Sequence, residues 1–289
     1  MALPLLDQIK RLVIVALVTD DILMETLVLK GGNAITIAYG LGNRGSADID
    51  FSMEEDFADL QQTITTISDN LRKTFAENGL LAFDVKLIEK PKNLPENQRS
   101  FWGGYRIEFK VADAATVAKY GDQPERLRRA SLELGTEEYK SKTFSVDISR
   151  FEYCGHKVAQ TLDGFTYYVY PPQLLVFEKI RAICQQIPAY KSIVPSHNPR
   201  ARARDFYDIY SLMENFDVDI ESEEALNVLR QVFDAKKVPL EYVAQIREYR
   251  DYHRTDFASV KKNVTNGDTL QPFDVYFDHV VNRFGDIVL

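Results

Sequence analysis

Cysteine and histidine are scarce in this chain of 289 residues. Cys154 and Cys184 are the two cysteines, in neither metal-ligand nor redox spacing, so free thiols in a reducing compartment are expected. The four histidines, His156, His197, His253 and His279, are scattered, which leaves zinc without a ligand set. Long hydrophobic runs are missing too. The apolar run near the start, residues 12–18, is seven residues long, whereas a spanning helix needs about 20. Residues 1–6 are apolar, but Lys10 and Arg11 follow them rather than precede them. Neither a signal peptide nor a membrane anchor is expected, and the expected location is cytoplasmic. Positive charge is not in excess: 35 Lys and Arg stand against 43 Asp and Glu, a formal net charge of −8. That excludes a general nucleic-acid coat while leaving room for local basic patches. No internal repeat or low-complexity tract breaks the chain.

What is present is ordinary globular composition, 45% hydrophobic and 27% charged, enough for one large or two modest domains. Hydrophobic periodicity predicts helices over 5–19, 33–39, 57–78, 173–186 and 203–215, with more helix towards the end. Gly40 and Gly79 stand where two of them should stop. Strands are predicted over 27–30, 48–52, 81–89, 105–111, 143–149 and 165–170. Residues 90–100 and 187–200, with their prolines, read as loops. After Pro171 and Pro172 the strand signals cease, which predicts a mixed α/β first half and an all-α second half.

The most informative stretch lies between Leu29 and Phe51. Gly31 and Gly32 open a predicted helix, and Asp48-Ile49-Asp50 follows on a predicted strand. Backbone N–H groups at a helix start can hold phosphate oxygens. Two acids spaced by two can share a divalent cation from one strand face. Either feature alone has a plainer explanation, as a tight turn or as a solvated acidic face. Together they are the two halves of a nucleoside-triphosphate site. Asp147, flanked by Val146 and Ile148, becomes intelligible as a third acid if its strand lies beside the D-x-D strand. Asp84, between Phe83 and Val85, is its rival. Lys179 sits in an apolar helix, and Asp205 and Asp208 share one face of another. Lys191, His197, Arg200, Arg202 and Arg204 form one basic stretch; Arg126, Arg128 and Arg129 form a second.

Taken together, these residues resemble the AbiEii/AbiGii family of toxins, within the DNA polymerase β-like nucleotidyltransferase superfamily. The likeness runs through Leu29-Lys30-Gly31-Gly32, then Arg44-x-Ser46-x-Asp48-x-Asp50-Phe51, then Asp147, Lys179 and Arg204-Asp205-x-Tyr207-Asp208. It covers residues 20–215. Asn33 stands where the family commonly has Thr, and Gly45 and Ala47 also depart from its pattern.

The resemblance implies an α+β fold, with a nucleotidyltransferase-like mixed β-sheet lobe and flanking helices over 1–170. A helical lobe over 171–289 would bring Lys179 and the Asp205/Asp208 helix to the cleft. It implies transfer of a nucleoside monophosphate from an NTP to an acceptor hydroxyl, with tRNA or another RNA favoured and a protein acceptor as the alternative. Asp48 and Asp50 would hold Mg²⁺, or Mn²⁺, as a pair of ions about 3.5–4 Å apart. Asp147 would ligate on the attacking side and help deprotonate the acceptor. Gly31, Gly32 and Asn33 would cradle the β- and γ-phosphates, with Arg44 and Ser46 nearby. Lys179 would offset charge on the leaving pyrophosphate, and Asp205 and Asp208 would orient it. Family members are toxin halves of toxin–antitoxin or phage-exclusion pairs, so a bacterial source and a cognate antitoxin are implied. Two alternatives stand beside this one: a catalytically silent nucleotide- or partner-binding protein on the same fold, and a D-x-D glycosyltransferase.

Overall fold

Alternating and 3.6-residue patterns resolve into a seven-stranded mixed sheet and a set of helices in a computed structural model of the chain. The structure describes residues 4–41, 48–135, 140–263, 270–285 and 287. The first half runs α1 (Leu5–Val18), α2 (Asp21–Thr26), β1 (Val28–Lys30) and α3 (Gly31–Asn33), which continues as a π-turn over Ala34–Ala38. Next come β2 (Ile49–Ser52), α4 (Leu60–Glu77), β3 (Leu80–Lys90), β4 (Gly104–Asp113), α5 (Ala114–Tyr120) and α6 (Pro124–Ala130). Two short strands, β5 (Leu134–Gly135) and β6 (Lys140–Ser141), precede β7 (Phe144–Ser149) and the hairpin β8 (Val158–Leu162) and β9 (Phe165–Val169). The helices α7 (Pro172–Cys184), α8 (Ala203–Asn215), α9 (Glu223–Asp234), α10 (Tyr242–Gln245), α11 (Arg250–Arg254), α12 (Phe257–Asn263) and α13 (Phe273–Phe284) complete the chain.

The sheet order is β3-β4-β7-β2-β1-β9-β8. β2 pairs in parallel with β7 and β1 in parallel with β9, whereas β1–β2, β4–β7, β3–β4 and β8–β9 are antiparallel. Helices α1 and α4 pack on each other and on the strands. The periodicity of α1 predicts one apolar stripe, yet every residue from Leu12 to Val18 is buried. A helix that is apolar all round belongs inside, and here α2, α4 and β9 enclose it. The buried core then runs without break from Ile9 to Phe284, across the change from strands to helices that falls between Val169 and Pro172.

Most of the expected elements form within a few residues of their predicted ends, and α8 spans 203–215 as expected. The helix expected over 57–78 starts at Leu60 because the Asp59 carboxylate accepts the Gln62 N–H and caps it. Two features went unread. The β8 strand shows little alternation, with Val158 exposed and Leu162 buried; its legible signal was Asp163-Gly164, both at positive φ, the signature of a hairpin turn. Helices α5 and α6 fill the connection between β4 and β5 and are started by the Asp113 cap and by Pro124.

Candidate active site

Strand register builds the site. Lys30 of β1 stands opposite Asp50 of β2, Asp50 opposite Asp147 of β7, and Asp147 opposite Arg106 of β4. Four strands therefore place a base, two acids and a base in one row on one sheet face, and all four line a cavity of about 1130 Å³. Burial pushes the Asp50 carboxyl up to about 7; nearby Lys30 opposes this, while Asp147, Glu178 and Asp48 add to it. Asp147 has a firmer partner, because the Arg106 guanidinium donates from Nε and Nη2 to its two oxygens at 2.7 and 2.9 Å.

The glycine turn closes over this row. Gly31 has φ +69°, and a Cβ there would lie 2.6 Å from Asp50 Oδ2. Only glycine brings the backbone that close to the acid. Gly31, Gly32, Asp48 and Asp50 share the cavity wall. Asn33 is placed otherwise: it is buried, its side-chain amide donates to the Asp48 carbonyl, and it fastens the turn to the start of β2. Arg44 and Ser46 lie outside the described residues.

From the helical half, α7 and α8 meet at Lys179. Its ammonium donates to Asp205 Oδ1 at 3.0 Å and Asp208 Oδ2 at 2.7 Å, and all three side chains are buried. Arg202 approaches the second Asp205 oxygen at 3.1 Å, so two cations balance two anions. Lys179, Asp205, Arg200, Arg202 and Arg204 border the same cavity as the acids of the sheet. The other basic patch is elsewhere. Arg128 is bound to Asp84 at 2.6 and 3.1 Å, at a bulge of β3 where Asp84 has φ +53°. β4 and β7 separate that strand from β2, so Asp147 rather than Asp84 stands beside the D-x-D strand.

A second charged group was invisible in the sequence. Glu152, just beyond β7, accepts from Arg181 Nη1 at 2.7 Å and faces Lys30 at 3.3 Å and Lys236 at 3.6 Å. Lys30 also reaches Glu178 at 3.2 Å. Burial alone would raise the Glu152 carboxyl, but Arg181, Lys236 and Lys30 override it and hold the pKa far below the usual range. Lys236 moves the other way: burial pulls it down to about 8 despite Glu152. Buried ion pairs seldom repay their desolvation, and such a cluster beside a cavity is a candidate functional region. The cations around Glu152 lie 29 to 122 residues from it in sequence, so no local pattern reports them.

The oxygen donors of Asp48 and Asp50 suit a hard divalent cation, and a cation would relieve the raised pKa of Asp50. Asp147, expected as the third metal-binding acid, has both of its oxygens on Arg106. Among the described residues no three acidic, histidine or cysteine side chains converge as a metal cluster.

The comparisons with known proteins bear on this arrangement. Residues 14–279 match the model of the nucleotidyl transferase AbiEii toxin of type IV toxin–antitoxin systems. The chain belongs to the AbiEii family. It is a nucleotidyltransferase by that membership, and the turn, D-x-D and Lys179 cluster all fall inside the matched span. Curated protein sequences show no significant match. Among solved structures, the chain is similar to a candidate nucleotidyltransferase from H. pylori, with TM-score 0.48 and 14% identity over 97% of this chain and 93% of that one. It is also similar to JHP933 from Helicobacter pylori, with TM-score 0.47 and 14% identity over 96% and 90%. A third is an antigenic nucleotidyltransferase-like protein from Paracoccidioides brasiliensis, with TM-score 0.38 and 13% identity over 80% and 93%.

Proposed function

We propose that this AbiEii-family protein transfers a nucleoside monophosphate from an NTP to an acceptor hydroxyl, with RNA, and tRNA within it, as the favoured acceptor class. The observation that carries the reading is the meeting, on one cavity, of the Gly31–Gly32 turn, the acids Asp48 and Asp50, and Lys179 held by Asp205 and Asp208. The backbone of the glycine turn cradles the phosphates. Asp48 and Asp50 would hold Mg²⁺ or Mn²⁺, which when bound would neutralise phosphate charge. Lys179, fixed in position by two carboxylates, offers its ammonium to the leaving pyrophosphate. Arg200, Arg202 and Arg204 draw phosphates to the mouth. Asp147 takes the acceptor proton once Arg106 yields. The reading includes a cognate antitoxin, as the family description has it. A cytoplasmic site of action goes with it, since NTPs and RNA are found there; no described helix is long and apolar enough to cross a membrane.

The Arg106–Asp147 pair favours a second reading, a protein that binds nucleotide without turnover. Incubation with each α-³²P-labelled NTP, Mg²⁺ and total bacterial RNA plus extract separates the two. Label on one RNA or protein band, abolished by Asp48→Ala, Lys179→Ala or EDTA, is the expected result. Label that persists in Asp48→Ala overturns the role of the D-x-D. Nucleotide binding without pyrophosphate release from the NTP, whatever the acceptor, supports the second reading.

A further inference from the structure

Charged side chains and bare backbone make up most of the cavity wall, and two aromatic residues border it, Trp102 and Tyr105. Tyr105 is spoken for. It is buried, its hydroxyl donates to Asp56 at 2.7 Å, and the Arg150 guanidinium lies 5.1 Å from its ring centre. Trp102, the single tryptophan of the chain, is only partly buried.

The indole is held rigidly. Its backbone N–H donates to the Gln98 carbonyl at 2.9 Å. The rings of Tyr190 and His197 brace it, each with its centre 6.2 Å away, tilted by 55° and 88°. Burial and the nearby Arg202 and Arg200 lower the His197 pKa, so this brace is neutral at pH 7. The chain that follows lies hard against β7: a Cβ at Gly104 would lie 1.9 Å from the Ile148 carbonyl oxygen. Arg200 and Arg202, on the same wall, bring positive charge to the cavity that the ring borders.

The Lys236 ammonium stands 5.9 Å from the ring centre, and few further partners suit a partly exposed indole in a charged cavity. Water gains nothing from its faces, and a phosphate has no affinity for them. A nucleobase does: each base has a π-face, and stacking on an aromatic side chain is worth roughly five- to hundredfold in affinity by alanine substitution. We infer that Trp102 is the stacking platform for a nucleobase in this cavity. The inference rests on reading the cavity as a nucleotide site, and it deepens that reading by naming the residue that recognises the base. The base is carried either by the NTP or by the end of an RNA acceptor.

Because Trp102 is the only tryptophan, its fluorescence reports the platform directly. The full-length protein is titrated with each NTP, with inorganic tripolyphosphate and with a short single-stranded RNA, and binding is measured in parallel by calorimetry. The emission is excited at the red edge, where nucleotides do not absorb. Quenching by base-bearing ligands, with no quenching by bound tripolyphosphate, is expected. NTP alone quenching assigns the donor base; RNA alone quenching assigns the acceptor base. Trp102→Ala should weaken the quenching ligand roughly tenfold and leave tripolyphosphate affinity unchanged, with Trp102→Phe restoring most of the loss. Tripolyphosphate binding and circular dichroism establish that each variant is folded. NTP and RNA that bind without quenching, or bind Trp102→Ala as tightly as the parent, overturn the platform and leave the nucleotide site standing. If neither binds by calorimetry, the reading of the cavity fails, and the platform with it.

Discussion

Asp147 meets the Arg106 guanidinium through both of its oxygens, and any cation that is to share this carboxylate must compete with that pair. Both side chains are about one-third exposed, so solvent screens the pair and its worth is modest, about 1 kcal/mol or less. Arg106→Gln should therefore tighten Mn²⁺ binding by roughly a few-fold in calorimetry. Unchanged or weaker binding would show that Arg106 does not compete for the site. His253 is informative at the same scale. Its Nδ1 accepts the Arg202 N–H at 3.1 Å, and burial lowers its pKa to about 4, with Asp205 opposing and Arg202 adding. The unfolded chain takes up this proton near the ordinary value of about 6.5 and the folded chain only near 4. Folding stability from this group is thus complete above 6.5 and falls as pH drops from 6.5 to 4, by about 3 kcal/mol at most. Denaturant melts at several pH values should show that slope, and His253→Gln should flatten it.

Among the elements, the glycine turn between β1 and the π-turn brings the backbone closest to an acid of the site. Gly79, which ends α4, also has positive φ, +71°, but a Cβ there would touch nothing within 4 Å. Gly79→Ala should cost about 1 kcal/mol from backbone strain alone, with nucleotide affinity unchanged. Gly31→Ala adds a clash with the Asp50 carboxylate and should abolish NTP binding as well as lowering stability. Equal behaviour of the two variants in NTP titrations would remove the turn from the site. These glycines could be read from the sequence because helix starts and stops are local. The β3 bulge was not legible, and neither was the separation of Asp84 from the cavity. Phe-Asp-Val and Val-Asp-Ile look alike as strings, and strand order alone tells them apart.

For the molecule as a whole, Glu152 joins segments that local patterns keep apart: Lys30 from β1, Arg181 from α7 and Lys236 from the chain after α9. Lys236 also donates to the carbonyls of Phe101, at 3.2 Å, and Arg150. Removing the charge at the centre leaves three buried cations with Glu178 alone, 3.2 Å from Lys30 and 3.5 Å from Arg181. Glu152→Gln should destabilise the fold by about 3–5 kcal/mol, measured by chemical denaturation. A loss below about 1 kcal/mol would mean that the cluster is solvated in solution.

The residue types and spacings of Gly31, Gly32, Asp48, Asp50, Asp147, Lys179, Asp205 and Asp208 were determined by the sequence alone. Turns, strand alternation and helix faces reach over a few residues, and these groups sit on them. Only the tertiary structure decided that Asp50 and Asp147 share a row, that Arg106 takes Asp147, that Asn33 turns inward, and that Glu152 gathers its cations. The physical reason is range. Register between strands and the desolvation of charges depend on which distant segments pack together, and that is settled by burial of the whole core rather than by any short stretch of chain.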